Sequence, residues 1–217
     1  MTKTVDQPSS GVSIGAWVEQ AAERMEAQGL YFGHGTANAF DEACWMVSHV
    51  LDLAPDFPAA VFEHSLPDPA KDDLDALCQA RIESRKPLAY LIGQAWFAGL
   101  SFEVTEAALV PRSPMAEVII KNVLPWFDFH RAKKALDVGT GSGAIAAAMA
   151  HHWPMIEVDA VDISPEALAL AERNIHRLRL GSRVRLHLSD VYEALSQMRF
   201  DVILANPPYV PESSMQT

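Results

Sequence analysis

The residues best suited to chemistry stand at the ends of apolar runs. Phe200-Asp201-Val202-Ile203-Leu204-Ala205 runs directly into Asn206-Pro207-Pro208-Tyr209. Asn206 offers a carbonyl acceptor and an amide donor on one short side chain. Neither proline has a backbone N–H and each fixes its own φ, so the carbonyls of this corner are expected to point in set directions. Tyr209 adds a flat face with a polar tip. Such a corner could grip a planar amide or amidine and present its nitrogen to a group beside it.

Three further sets share this placement. Ala135–Val138 leads into Gly139-Thr140-Gly141-Ser142-Gly143, where missing Cβ atoms let the backbone approach a ligand closely. Asp162 ends the run Ile156–Val161; it could accept from two ribose hydroxyls, or simply help to cap the helix that Ser164 begins. Ser189-Asp190 ends Val184–Leu188, where the carboxylate could take an adenine amino group or serve a turn. Gly139, Gly141 and Ala144 also satisfy the loose dinucleotide pattern, with an acid 23 residues after the first glycine. These residues alone leave a nicotinamide cofactor and S-adenosylmethionine both open.

The elements that must hold them alternate strand and helix. The strands Ala135–Val138, Ile156–Val161, Val184–Leu188 and Phe200–Ala205 are separated by three helices. These are Ala144–His151, a segment from Pro165 to Leu180 closed by Gly181, and a short one over Val191–Gln197. This rhythm predicts a parallel α/β sheet. Ligands bind such sheets outside the carboxyl ends of the strands, where all four sets fall. Upstream, apolar positions at helical spacing predict helices over Ile14–Gln28 (stopped by Gly29), Ala37–Leu51 and Pro69–Ser84. The second is expected to turn Phe40, Ala43, Cys44, Val47, Val50 and Leu51 inward. Gln94–Phe97 and Ser101–Thr105 flank Ala98-Gly99-Leu100 as a hairpin. Leu109 to Pro114 is a proline-bounded linker into a helix over Met115–Leu124 that Pro125 ends. The expected domains are a helical one over 1–86, hairpin and linker over 87–114, and the α/β part over 115–217.

Composition narrows the partners. The 217 residues carry a formal net charge of −11, of which residues 1–110 hold −10 (6 Lys/Arg against 16 Asp/Glu). An acidic front half is a poor surface for phosphate backbones and a better one for a basic partner. Cys44 and Cys78 lack a metal-ligand or CxxC spacing and read as buried thiols of a reducing compartment. The polar start, residues 1–11, reads as a loose tail with no signal-peptide pattern, and no apolar run spans a bilayer, so a cytoplasmic location is expected. His34, His49 and His64 stand singly and read as structural or surface residues.

Taken together, Asp137-x-Gly139-x-Gly141-x-Gly143, Asp162, Asp190 and Asn206–Tyr209 resemble the class I S-adenosylmethionine-dependent methyltransferases. The resemblance implies a Rossmann-like sheet of seven strands, of which four are written here, so the sheet is expected to be C-terminally incomplete with an exposed edge. It assigns Asp137, Gly139, Thr140, Gly141 and Gly143 to the methionine end of the cofactor, Asp162 to the ribose and Asp190 to the adenine. Ile163, Val191 and Asn206 complete the implied cofactor contacts, and no metal is implied. The Asn-Pro-Pro-Tyr motif further resembles amino-methyltransferases acting on a planar nitrogen, in a nucleic-acid adenine or a protein glutamine.

The helical front, the hairpin and Pro111-Arg112-Ser113-Pro114-Met115-Ala116-Glu117 are similar to the PrmB/PrmC group of N(5)-glutamine methyltransferases, and most to its PrmB branch. That likeness implies a glutamine of a basic large-subunit ribosomal protein as acceptor, with nucleic acid involved only indirectly through ribosome assembly. It implies Asn206, Pro207 and Tyr209 as catalytic, and Asn206, Pro207, Pro208, Tyr209 and Arg112 as substrate contacts. An amide nitrogen is a weak nucleophile because its lone pair is delocalised into the carbonyl. If the Asn206 side-chain carbonyl and the Pro207 backbone carbonyl accept its two hydrogens, positioning and electrostatics supply most of the rate without an obligatory base. A release-factor glutamine or a nucleic-acid adenine would suit the same corner. A nicotinamide-dependent oxidoreductase would leave Asn206–Tyr209 unexplained.

Overall fold

Ser13 and Asn38 start the first two helices by accepting backbone N–H bonds from Ala16 at 3.2 Å and from Asp41 at 2.8 Å. The computed structural model describes residues 11–33, 35–121 and 131–206. The chain divides into two units, residues 1–92 and 93–217. The expectations for residues 1–10, His34, Leu124, Pro125, Pro207, Pro208 and Tyr209 lie outside the described residues.

In the first unit α1 (Ile14–Ala27) buries Trp17, Val18, Ala21, Ala22 and Met25, the spacing that predicted it, and Gly29 turns the chain away at φ 59°. The second helix, α2 (Ala39–Val50), starts later than Ala37 because Asn38 is its cap. Its buried face also differs from the expected one. Ala39, Glu42, Ala43, Met46 and Val47 turn inward, while Phe40 is exposed. Glu42 can be inside because Arg81 of α3 (Asp68–Ser84) meets it, Nε to Oε1, at 2.6 Å. A buried acid was invisible to a pattern that counts only apolar residues. A 3₁₀ turn over Ala59–Glu63 and a short helix, α4 (Leu88–Ile92), were not anticipated; both are too brief for periodicity to register. Cys78 is buried and Cys44 half-buried, and burial pushes the Cys44 thiol up to about 11, so neither is poised as a nucleophile.

The second unit opens with the hairpin of β1 (Gln94–Phe97) and β2 (Leu100–Glu103). After α5 (Met115–Lys121) come β3 (Lys134–Val138), α6 (Ala144–His152), β4 (Glu157–Asp162), α7 (Pro165–Arg177), β5 (Val184–Leu188) and β6 (Val202–Ala205). The four later strands form one parallel sheet in the order β5-β4-β3-β6, the α/β architecture expected. β3 and β4 are central and largely buried, and each encloses an acid, Asp137 and Asp159, the latter 2.7 Å from His187 Nε2. Among the described residues β6 pairs only with β3, and its Ile203 is 47% exposed.

Two expected boundaries are corrected. α7 ends at Arg177, and the turn that follows is made by Arg179 at φ 58°, not by Gly181. Leu180 is thereby returned to the interior, its N–H bonded to the Ile175 carbonyl at 3.0 Å. The helix expected over Val191–Gln197 shrinks to a single 3₁₀ turn, Glu193–Leu195, which seats Leu195 against Leu136 and Val161. Among the described residues, no helix is long and apolar enough to cross a membrane.

Candidate active site

The registers of the sheet bring the strand ends level. Val138 pairs with Val161 and with Ala205, and Asp162 pairs with Leu188. The glycine loop after β3, Asp162 at the end of β4, Asp190 just past β5 and Asn206 just past β6 therefore share one edge. They border a cavity of about 340 Å³. Gly139, Thr140, Gly141, Asp162, Ile163, Asp190, Val191, Asn206 and Arg112, all expected at the site, lie in its wall.

The loop is built against β4. The N–H groups of Gly139 and Thr140 both bond to the Val161 carbonyl, at 3.0 and 2.9 Å. Gly141, at φ 55°, donates its N–H to Asp162 Oδ2 at 2.9 Å. The other oxygen, Oδ1, accepts the Ser164 N–H at 3.0 Å. The helix cap proper is the Ser164 hydroxyl, which accepts the Ala167 N–H at 3.1 Å. Asp162 is thus held rigidly by backbone donors and keeps lone pairs for a ligand. Gly143 is required for a different reason. It starts α6 at φ 80°, and a Cβ there would stand 3.1 Å from the Ala171 Cβ, so it sets how closely α6 meets α7.

Asp137 and Gly143 are not in the wall: Gly143 closes the loop at the start of α6, and Asp137 stands behind the loop. Asp137 is fully buried, its Oδ2 accepting the Thr140 hydroxyl at 2.6 Å and the Ala146 N–H at 3.0 Å. Its Oδ1 has no partner among the described residues. Burial lifts this carboxyl to about 6; the two hydrogen bonds pull it down less than that, and the Asp162 charge adds to the rise. When ionised, it gives a negative field behind the loop that favours positive charge in front of it. The acceptors Asp162 and Asp190 in the wall and the buried Asp137 behind it fit a ligand with hydroxyl or amino donors and a cationic end.

Sequence reasoning missed one wall. The linker, of which only Arg112 was expected at the site, lines the cavity also through Ala107, Ala108, Leu109 and Val110, and Phe97 of β1 joins them. Ala108 lies 3.4 Å from the point a Gly141 Cβ would occupy. The rigidity of Pro111 and Pro114 was legible in the sequence, but not where that strap runs. Val191 was also unexpected in its backbone, at φ 46°, a conformation that costs a β-branched residue about 1–2 kcal/mol. Strain of that kind is tolerated where neighbouring contacts impose it, and ligand sites are one such place. Asn206 is exposed at the rim.

Comparison with known proteins places the chain among methyltransferase relatives by sequence. Residues 118–217 match the family described as "Methyltransferase small domain", and residues 16–93 match "PrmC N-terminal domain". A ribosomal protein uL3 glutamine methyltransferase of Xanthomonas campestris pv. campestris is 46% identical over 193 residues, covering 89% of this chain and 62% of that protein. One from Bordetella pertussis is 40% identical over 200 residues, covering 91% of this chain and 67% of that protein. Among solved structures, a precorrin 8w decarboxylase from Methanobacterium thermoautotrophicum aligns with a TM-score of 0.39 at 26% identity, over 48% of this chain and 54% of that one. The chain spans less than two thirds of the Xanthomonas protein's length.

Proposed function

The chain belongs to the family of the ribosomal protein uL3 glutamine methyltransferases, and we propose that it transfers a methyl group from S-adenosylmethionine to the side-chain amide nitrogen of a glutamine in a large-subunit ribosomal protein. The observation that carries this reading is the convergence of Gly139–Gly141, Asp162, Asp190 and Asn206 on one cavity at the carboxyl ends of a parallel sheet. When bound, the cofactor supplies an electrophilic methyl on a sulfonium sulfur. Asp162 would hold the ribose hydroxyls, and Asp190, with Ile163 and Val191 in the same wall, the adenine. The Asp137 charge and the glycine loop would hold the methionine end.

The acceptor amide would be oriented by the chain itself. The Asn206 side-chain carbonyl and, by the resemblance, the Pro207 backbone carbonyl take its two hydrogens, so its nitrogen faces the methyl. Fixed acceptors of this kind favour the positive charge that develops on nitrogen during transfer. Pro208, Tyr209 and Arg112 would pack on or steer the glutamine-bearing segment. The acidic helical front suits a basic ribosomal protein, and a cytoplasmic setting goes with that substrate.

The test is mass spectrometry of ribosomal proteins incubated with the full gene product and labelled cofactor. One new methyl group on a glutamine, lost in Asn206→Ala, is the expected result; methylation that persists in the variant removes Asn206 from its role. A thermal shift with S-adenosylhomocysteine, absent with NAD, separates this reading from an oxidoreductase.

A further inference from the structure

Asn174 is a fully buried amide within α7, beside Leu170, Ala171 and Ile175 on the helix face that packs inward. Asparagine is a poor helix former because its side chain competes for backbone hydrogen bonds, and a buried amide left unpaired is costly. Its presence here therefore asks what it bonds to. Oδ1 accepts the Glu103 backbone N–H at 2.8 Å, and Nδ2 donates to the Glu103 carbonyl at 2.9 Å. The side chain thus pairs with Glu103 at two points, as a neighbouring strand would. The second Nδ2 hydrogen goes to the Ser142 carbonyl at 3.0 Å. Arg177 also reaches Oδ1, at 3.2 Å, so the amide is fully used.

One partner, Ser142, lines the cavity; the other, Glu103, lies four residues before the strap that lines it. Glu103 ends β2, from which the chain reaches the strap Ala107–Val110 through a turn in which the Ala108 N–H donates to the Thr105 carbonyl at 3.2 Å. Ser142 lies in the glycine loop. On the solvent side Arg173 grips the Glu103 carboxylate in a fork, at 2.8 and 3.0 Å to Oε1, and Arg177 donates to the Ser101 carbonyl. That outer clasp fastens β2 to α7 but does not touch the loop. Asn174 bonds both to the end of β2, through Glu103, and to the loop, through Ser142.

We propose that Asn174 is a positioning residue for the cofactor: one buried amide sets the spacing between the strap and the glycine loop across the cavity. This rests on reading the cavity as the S-adenosylmethionine site. Asn174 does not line the cavity and touches no ligand; it acts through Glu103 and Ser142.

The experiment is calorimetry with S-adenosylhomocysteine, combined with amide hydrogen exchange, on the wild type, Asn174→Asp and Asn174→Ser. The aspartate keeps the shape and one acceptor but loses both donations; the serine removes the clip with little change in helix geometry. Folding of each is checked by circular dichroism, and affinity is taken per folded molecule. Both variants are expected to bind roughly tenfold or more weakly, the effect of one or two lost hydrogen bonds. Exchange should quicken in residues 104–110 and 139–143 but not in α1 to α3. A lowered melting temperature with unchanged affinity would make Asn174 merely structural and overturn the proposal. Absence of binding by the wild type would overturn the cofactor reading and this inference with it, an outcome distinct from equal binding by all three proteins.

Discussion

Gly141 donates its backbone N–H to Asp162 Oδ2 at 2.9 Å, so the acid that ends β4 also fixes the crown of the loop that follows β3. Asp162→Ala removes both a ligand acceptor and this tie. Losing a hydrogen bond to a charged group costs about 1.5–3 kcal/mol, so affinity for S-adenosylhomocysteine should fall roughly 10- to 100-fold by calorimetry. An unchanged affinity would exclude Asp162 from the ligand.

Asp137 should give the protein a measurable pH dependence. Its folded pKa of about 6 lies above the ordinary 3.8, so the folded state holds this proton longer than the unfolded one. As pH rises from about 4 to about 6, the unfolded chain ionises first and stability declines, by a total on the order of 3 kcal/mol once the folded group is also ionised. Urea unfolding of the wild type and Asp137→Asn over this interval should show that decline only in the wild type. Parallel profiles would contradict the burial-driven shift.

Gly139 and Gly143 both have positive φ, but their surroundings differ. A Cβ at Gly139 meets nothing within 4 Å, whereas one at Gly143 meets Ala171 at 3.1 Å. Gly139→Ala should cost only the left-handed strain of about 1–2 kcal/mol, and Gly143→Ala should cost more, because α6 and α7 must also part. Denaturant midpoints of the two variants check the order.

In the first unit, removing one partner of Arg81–Glu42 strands a buried charge. Burial raises the Glu42 carboxyl, opposed by the Arg81 charge and by hydrogen bonds from Arg81 and Thr36. Glu42→Ala should destabilise that unit by about 3–5 kcal/mol, seen in thermal or urea melts. Cofactor affinity of the folded protein should not change, since the cavity is built from residues beyond 93.

Glu19, Glu23 and Glu26 are exposed along α1. Their joint replacement by lysine should weaken capture of the free basic ribosomal protein and flatten the salt dependence of that capture, while binding of S-adenosylhomocysteine is unaffected. Pull-down across a salt series decides it; unchanged capture would place the docking face elsewhere.

Much of the second unit was legible because its rules are local. Ser164-Pro165 announces a helix start, Gly139–Gly143 a close-approach loop, and the buried strands β3 and β4 apolar runs of strand length. Parallel connectivity then forces the strand ends to one edge. The misread elements are those where tertiary contacts override local preference. Glu42 turned inward for Arg81, Phe40 turned outward, and Arg179 took the left-handed turn expected of Gly181 so that Leu180 could be buried.

The sequence by itself determined the α/β class and the four strand ends, because residue type and period suffice for those; the cofactor roles at those ends came from a family resemblance. Only the tertiary structure decided that Asp137 stands behind the glycine loop with an unmet oxygen, that the linker is a wall of the cavity, and that Asn174 ties the end of β2, just before this wall, to the loop. Each of these is a relation between segments distant in sequence, fixed by hydrogen bonds and burial that no local pattern encodes. Gly141 and Asp162 illustrate both halves: their chemistry was readable from their types, their 2.9 Å contact only from the fold.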